Sequence, residues 1–173
     1  ISRMLSTLRR FYRFLYREKK ITDDPTLQIQ KPKIPKSLPK SLSEDEVENL
    51  LDAPDINIDI GLRDKAMLEL LYACGLRVTE LVNIQLTELN LNDGIVRVTG
   101  KGDKERLAPI GGRAIKYLTI YINEVRNHQE IKKGNEDFVF LNNRGAKLTR
   151  VMIFIIIQKL TEKIGLKKKI SPH

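Results

Sequence analysis

Proline spacing between residues 22 and 42 limits the possible folds of this chain more than any other feature. The prolines are Pro25, Pro32, Pro35 and Pro39. Proline has no amide hydrogen and clashes with the preceding helical turn, so this stretch cannot form a regular helix. Four lysines lie among the prolines: Lys31, Lys33, Lys36 and Lys40. The sequence therefore predicts a stiff, basic, extended linker at 22–42 that separates residues 1–21 from a main domain at 43–173.

Residues 1–20 have the pattern of one amphipathic helix. Apolar residues recur at the i, i+3, i+4 spacing of one helical face, and five arginines fall mostly on another side. Such an apolar stripe needs a partner to bury it. Because the chain begins at Ile1, we expect this helix to be the last element of a helical domain that is otherwise truncated.

From residue 43 onward the sequence predicts an α+β domain that is mainly helical. Ser43 and Glu46 form a capping-box pattern that opens the first helix, which Pro54 ends. Further helices are predicted at 62–73, from about 77 to 84, at 112–127 and at 150–164. Gly75 stands where the second of these helices must stop.

A small antiparallel three-stranded sheet is predicted between these helices. Its strands lie near 89–91, 95–98 and 106–110, with turns at 92–94 and 100–104. Pro109 predicts an edge position for the last strand, because proline cannot donate to a neighbouring strand. A separate short strand is predicted at 138–141, before the final helix.

The net charge of the 173-residue chain is +9 and its pI is about 9.7. Such an excess suits either a polyanionic partner or a plain soluble basic protein. If the partner is DNA, the candidate phosphate contacts are Arg9, Arg10, Arg13, Lys31, Lys33, Lys36, Lys40, Lys104, Arg106 and Arg150. A solvated helix face and a solubilising linker are the alternatives for these residues.

Cysteine and histidine are too sparse to suggest a disulfide framework or a zinc site. Cys74 is the only cysteine and lies in an apolar run, as expected of a small buried side chain in a reducing, cytoplasmic compartment. The longest apolar cluster, 151–157, is far too short to span a bilayer, so no membrane partner is expected.

Two cations bounded by glycines are the candidate chemical groups. Arg77 follows Gly75 at a predicted helix start, where free backbone amides favour an anion, and Glu80 can hold it from three residues further on. Lys101 lies in a turn with a glycine on each side. Together they could converge on one phosphate. A surface Arg–Glu pair and an ordinary turn lysine remain open alternatives from spacing alone.

Three motifs in this order resemble the catalytic domain of tyrosine recombinases, most closely the bacterial Xer type. They are residues 73–81 (Ala-Cys-Gly-Leu-Arg-Val-Thr-Glu-Leu), residues 100–110 (Gly-Lys-Gly-Asp-Lys-Glu-Arg-Leu-Ala-Pro-Ile) and the terminal Ser-Pro-His. Residues 15–19, the Lys-Pro linker and residues 62–68 are also Xer-like. The resemblance implies that 1–21 end a core-binding (SAM-like) domain and that 43–173 form a truncated catalytic domain.

The resemblance also implies catalytic roles. Arg77 matches the arginine that neutralises the scissile phosphate, and Glu80 matches the acidic residue that supports it. Lys101 matches the hairpin lysine that protonates the departing 5′ hydroxyl, and His173 matches the histidine that hydrogen-bonds the phosphate. The implied reaction is site-specific strand cleavage and rejoining through a 3′-phosphotyrosyl bond, without metal or ATP. The implied partners are double-stranded DNA and sister protomers in a tetramer.

Other residues that the family uses would lie beyond His173. These are the second arginine, the next histidine or tryptophan, the nucleophilic tyrosine and a C-terminal helix exchanged between protomers. None of the five tyrosines in this chain matches the nucleophile position, so this polypeptide is expected not to cleave DNA alone. Chromosome-dimer resolution is the expected role. Integration of a mobile element and a non-catalytic DNA-binding protein on the same scaffold are the alternatives.

Overall fold

The computed structural model of the chain describes residues 2–30, 41–100, 102–168 and 170. The chain divides into two units, Ile1–Lys40 and Ser41–His173. The first unit contains α1 (Ser2–Arg17), as the apolar spacing predicted. After α1, the Asp24 carboxylate accepts hydrogen bonds from the Thr26 amide and hydroxyl at 2.8 and 2.6 Å. Residues 31–40, which include the four linker lysines, lie outside the described residues.

The apolar face of α1 is mostly uncovered. Leu5 is buried, whereas Met4, Leu8 and Phe11 are exposed. The described residues therefore do not supply the partner surface that the amphipathic pattern of this helix requires.

Local sequence signals set the first helices of the second unit. The Ser43 hydroxyl accepts a hydrogen bond from the Glu46 amide at 3.3 Å, and the Glu46 carboxylate accepts one from the Ser43 amide at 2.8 Å. This is the predicted capping box, and it opens α2 (Glu44–Asp52). The next helix, α3 (Asp59–Ala73), begins at Asp59 rather than at the predicted Leu62.

Helix α3 ends where glycine was expected to stop it. Gly75 has φ +54°, a left-handed conformation that glycine adopts without steric cost. The chain then turns and begins the short helix α4 (Val78–Asn83). Residues 74–77 alone therefore join α3 to α4.

The three-stranded antiparallel sheet was predicted correctly. β1 (Leu89–Asn90), β2 (Ile95–Thr99) and β3 (Glu105–Pro109) lie in the order β1-β2-β3. Val96, Val98 and Ala108 are buried on one side of the sheet. β3 is an edge strand, as Pro109 predicted.

The remainder of the unit is less regular than its sequence predicted. Instead of a uniform helix over 112–127, α5 (Gly112–Ile120) continues into a π-helical turn (Tyr121–Val125) and a 3-10 turn (Arg126–His128). A shift in hydrogen-bond register of this kind leaves little trace in the apolar spacing. The last helix of the described residues is α6 (Arg150–Lys163), close to the predicted 150–164, and the Thr149 side chain caps it by accepting from the Met152 amide.

The predicted strand at 138–141 does not form. Only isolated bridges occur in this segment, and they join Gln85 to Phe138 and Leu141 to Lys147. It instead bonds to two irregular segments: the Val139 amide donates to Ile84 O at 3.0 Å, and the Leu148 amide donates to Phe140 O at 3.1 Å. The continuous apolar run indicated the burial of this segment correctly, but the described residues place no regular strand beside it.

A buried lysine lies among the helices of the second unit. The Lys65 side chain is 2% exposed, and its Nζ donates to Leu51 O at 2.8 Å and to Asp52 Oδ1 at 2.6 Å. Nζ also lies 3.0 Å from Glu69 Oε1 and 4.9 Å from the centre of the Tyr117 ring. These contacts join α2, α3 and α5. Among the described residues, no helix is long and apolar enough to cross a membrane.

Gly61 allows α3 to pack closely against the segment that precedes it. A Cβ at Gly61 would lie 1.8 Å from Asp55 O, whereas a Cβ at Gly112 would meet nothing within 4 Å. We expect Gly61→Ala to lower the free energy of unfolding by about 1–3 kcal/mol, the usual cost of overpacking. Gly112→Ala, the matched control, should leave it unchanged or slightly higher. Urea titration followed by circular dichroism measures both, and equal stabilities would contradict this packing.

Candidate functional site

Glu80 is the centre of the candidate site. Its side chain is 2% exposed and lies in the first turn of α4. Oε1 accepts a hydrogen bond from Arg77 Nη1 at 2.9 Å. Oε2 accepts from the Arg77 amide at 2.8 Å and from Arg106 Nη2 at 2.9 Å. We call Arg77, Glu80 and Arg106 the arginine–glutamate cluster.

The α3–α4 junction explains the position of Arg77. The neighbouring side chains Leu76 and Val78 are buried, which fixes the backbone on both sides of the arginine. Arg77 is the N-cap residue of α4, with extended φ and ψ of −75° and 149°. Glu80, three residues on, returns a hydrogen bond to the cap amide, as in half of a capping box. The Arg77 amide is therefore occupied by Glu80 and is not available to an anion.

The cluster carries a net positive charge that solvent can reach. Two guanidinium groups surround one carboxylate, and 65% of the Arg77 side chain and 40% of the Arg106 side chain are exposed. Burial alone raises the pKa of Glu80, but hydrogen bonds from Arg77 and Arg106 outweigh it and hold the pKa below its ordinary value. Glu80 is therefore a carboxylate at neutral pH.

Gly100, the first residue of the turn between β2 and β3, lies next to the arginine–glutamate cluster. A Cβ at Gly100 would lie 3.4 Å from Glu80 Oε1 and 4.0 Å from Arg77 Nη1. The Gly100 amide donates to Lys104 O at 2.8 Å, which closes the base of the turn. Lys101 itself lies outside the described residues. The structure thus brings Arg77 next to the residue that precedes Lys101.

The other predicted site residues are separate from the cluster or lie outside the described part of the chain. His173 and the linker lysines 31, 33, 36 and 40 belong to the latter group. Arg10 and Arg13 are exposed on α1, whereas the Arg9 guanidinium donates to Ile29 O within the same unit. Lys104 and Arg150 are exposed, and among the described residues neither side chain is bonded to the cluster.

Arg106 has a position that the sequence analysis missed. It was predicted only as a DNA contact, yet its guanidinium bonds Glu80. One signal was available in the sequence, since Arg106 and Ala108 fall on the same side of the predicted strand; the structure shows which side that is. Arg106 is two residues before the buried Ala108, and it pairs with the buried Val98, so it lies on the core side of the sheet. A charged residue on the core side of a strand usually has a buried partner.

Cys74 is inert in this setting. The side chain is buried, its Sγ donates to Pro109 O at 3.2 Å, and burial raises the pKa of the thiol despite the nearby Arg106. The described residues include no group of His, Cys, Asp and Glu side chains arranged to hold a metal ion.

An apolar groove of about 440 Å³ has Arg77 among its lining residues. Leu68, Leu71 and Leu76 line it, together with Ile157 from α6.

Removal of the Glu80 charge should change stability in a pH-dependent way. Because the folded-state pKa lies below the ordinary value of 4.5, the carboxylate stabilises the fold at neutral pH. This contribution declines as pH falls below 4.5, where the unfolded chain takes up the proton first. We expect the stability difference between the unmodified chain and Glu80→Gln to be largest at neutral pH and to shrink on acidification.

Urea unfolding across this pH range measures the difference. Glu48→Gln is the matched control, since Glu48 is exposed on α2 and has no ion pair among the described residues. A gap between wild type and Glu80→Gln that grows on acidification would contradict the geometry of the cluster.

Comparisons with known proteins identify the family. The phage integrase family model matches residues 40–173. Tyrosine recombinase XerD of Proteus mirabilis is 51% identical over 99% of this chain and 55% of its own length, so the chain spans about half of that relative.

Several solved structures share this fold, and two of them illustrate the likeness. The crystal structure of XerA recombinase has a TM-score of 0.68 at 25% identity, and the match covers 95% of this chain and 62% of that one. The Tn1549 transposon integrase, solved in complex with circular intermediate DNA, has a TM-score of 0.74 at 19% identity over 99% of this chain and 61% of its own; this second likeness shows the fold alone. With a family model matched over most of its length and a XerD relative at 51% identity, the chain belongs to the phage integrase family of tyrosine recombinases.

Proposed function

We propose that the protein containing this chain is a site-specific DNA recombinase of the Xer type and that it resolves chromosome dimers. The observation that carries the proposal is the exposed guanidinium of Arg77, anchored by the buried Glu80 beside the start of the Lys101 turn. The 51% identity to a XerD supports the Xer assignment over integration of a mobile element.

Each residue has a distinct part in the proposed reaction. A tyrosine oxygen, supplied from outside these 173 residues, attacks the scissile phosphorus, and the bond between phosphorus and the 5′ oxygen breaks. Arg77 binds the non-bridging oxygens, where negative charge develops. Lys101 donates a proton to the departing 5′ oxygen, and His173 donates a hydrogen bond to the phosphate.

The covalent intermediate makes metal and ATP unnecessary in this proposal. The 3′-phosphotyrosyl bond conserves the energy of the broken phosphodiester. The released 5′ hydroxyl of a second strand attacks it, which restores the tyrosine and joins the new strand. The nucleophile would come from the remainder of the protein, so this chain alone should not cleave DNA.

The proposed partners are duplex DNA and further copies of the recombinase in a tetramer. We assign DNA contacts to exposed cations within each unit taken separately: Arg10 and Arg13 on α1 of the first unit, and Lys104 in the β2–β3 turn and Arg150 at the start of α6 of the second. Arg9 contributes less in this proposal, because its guanidinium already bonds Ile29 O. The linker lysines 31, 33, 36 and 40 are further proposed contacts.

Cleavage by the full-length protein tests the catalytic roles. Arg77→Ala should slow covalent cleavage of a nicked duplex by about 100-fold or more, the usual cost of losing one donor to a developing oxyanion. Lys101→Ala should slow cleavage by a similar factor. A substrate with a 5′-bridging phosphorothiolate has a sulfur leaving group that needs no proton. This substrate should restore the cleavage rate of Lys101→Ala but not that of Arg77→Ala. The substrate is a site selected from random-sequence duplexes by the full-length protein.

Arg97→Ala is the matched control for both variants. Arg97 is exposed on β2, and its removal changes the charge equally without touching the cluster. The 173-residue chain alone should give no covalent adduct. Wild-type cleavage rates in Arg77→Ala and Lys101→Ala would refute the assigned roles, and an adduct with the chain alone would refute the external nucleophile.

Salt dependence tests the proposed DNA surface. Each phosphate contact should contribute roughly −0.9 to the slope of log affinity against log salt concentration. Arg10→Ala should make the slope less negative by about this amount, because binding then releases one counterion fewer from the DNA. Lys116→Ala, an exposed residue of α5 outside the proposed surface, should leave the slope unchanged. Fluorescence anisotropy with a labelled duplex measures it, and a flat salt response would exclude these cations as contacts.

A further inference from the structure

Glu80 has one more cationic partner than a simple arginine–glutamate pair requires. A pair of Arg77 and Glu80 would be electrically neutral. Arg106 adds a second guanidinium, with its Nη2 at 2.9 Å from Glu80 Oε2. The whole cluster then has two positive charges and one negative charge, so a net charge of +1 remains for an incoming phosphate.

We propose that Arg106 is a positioning residue of the reaction: it neutralises Glu80, so that Arg77 keeps an uncompensated charge, and it fixes the β2–β3 turn against α4. Only the effect of Arg106 on DNA cleavage rests on the proposed function. The arrangement of the three side chains is independent of that function.

The division of the two carboxylate oxygens supports the first half of the proposal. Arg106 bonds Oε2, whereas the Arg77 guanidinium bonds Oε1. The two guanidinium groups therefore do not compete for one acceptor, although the Arg77 amide shares Oε2 with Arg106. Because Arg106 bonds Glu80 Oε2, the buried carboxylate needs only the one hydrogen bond that Arg77 Nη1 donates to Oε1. The exposed part of that side chain stays available to a ligand.

The position of Arg106 in the sheet supports the second half. Arg106 pairs with Val98 in β2, and Glu105 pairs with Thr99 directly before the turn. Its Nη1 also lies 3.5 Å from Cys74 O, a carbonyl at the C-terminal end of α3, where a cation is favoured. One side chain thus links the base of the turn that holds Lys101 to the ends of both α3 and α4.

The first test uses this chain alone. Carboxyl-detected NMR of Glu80 should show a higher pKa in Arg106→Ala, because a hydrogen bond and an attractive charge are lost. Amide hydrogen exchange at Gly100 should become faster, since the turn loses its attachment. Arg106→Lys keeps the charge and should restore most of the pKa. Arg97→Ala, on the opposite side of the same sheet, should change neither quantity.

The second test uses the full-length protein and the nicked duplex. Arg106→Ala should slow single-turnover cleavage by roughly 10- to 100-fold, the scale expected when a catalytic group is misplaced by about 1 Å. On a duplex with a neutral methylphosphonate at the scissile position, the loss should be much smaller, because that substrate has no charge for Arg77 to neutralise. Arg106→Lys should recover most of the rate on the ordinary phosphodiester.

The outcomes separate this inference from the proposed function. An unchanged pKa of Glu80 in Arg106→Ala would overturn the inference whatever the protein does to DNA. Equal slowing on the phosphodiester and the methylphosphonate would overturn the charge argument and leave only a structural role. If Arg77→Ala cleaves at the wild-type rate, the proposed function fails, and the NMR result still decides whether Arg106 neutralises Glu80.

Discussion

A buried carboxylate with three donors is the interaction on which the candidate site depends. Glu80 is almost fully removed from solvent, and an unpaired charge in such a position would be strongly destabilising. The hydrogen bonds from Arg77 and Arg106 compensate for that burial. The same bonds fix two long, flexible side chains that would otherwise adopt many rotamers. The carboxylate therefore serves folding and site geometry together, and neither can be altered without the other.

A second buried charge with ionic partners lies in the scaffold around the cluster. Lys65 is buried between α2, α3 and α5, with Asp52 and Glu69 as partners. Arg113 completes this network from the start of α5, at 2.6 Å from Asp52 Oδ1 and 2.9 Å from Glu69 Oε1. Charged pairs of this kind specify which helices meet, because a shifted helix would leave a buried charge without a partner. This network holds α3 in one position against α2 and α5, and α3 leads directly into the α3–α4 junction.

Local chemistry explains which elements were predictable. The capping box of α2, the glycine end of α3 and the edge position of β3 each follow from residues close together in sequence. The failures have a different origin. Segment 138–141 has irregular neighbours instead of a strand, and the π-helical turn after α5 contains the buried Tyr121, whose hydroxyl accepts a hydrogen bond from the Leu141 amide. In both places the structure was decided by contacts distant in sequence.

The sequence by itself determined the family, the helical frame with its small sheet, and the choice of Arg77 and Glu80 as a pair. A spacing of three residues at a helix start is sufficient for that pair, since it places the two side chains on one face. Only the tertiary structure decided that Arg106 joins them from β3 and that Gly100 lies against the same carboxylate. Arg106 is 26 residues from Glu80 along the chain. Its contact exists because the sheet packs onto the α3–α4 junction, and no local pattern encodes that packing.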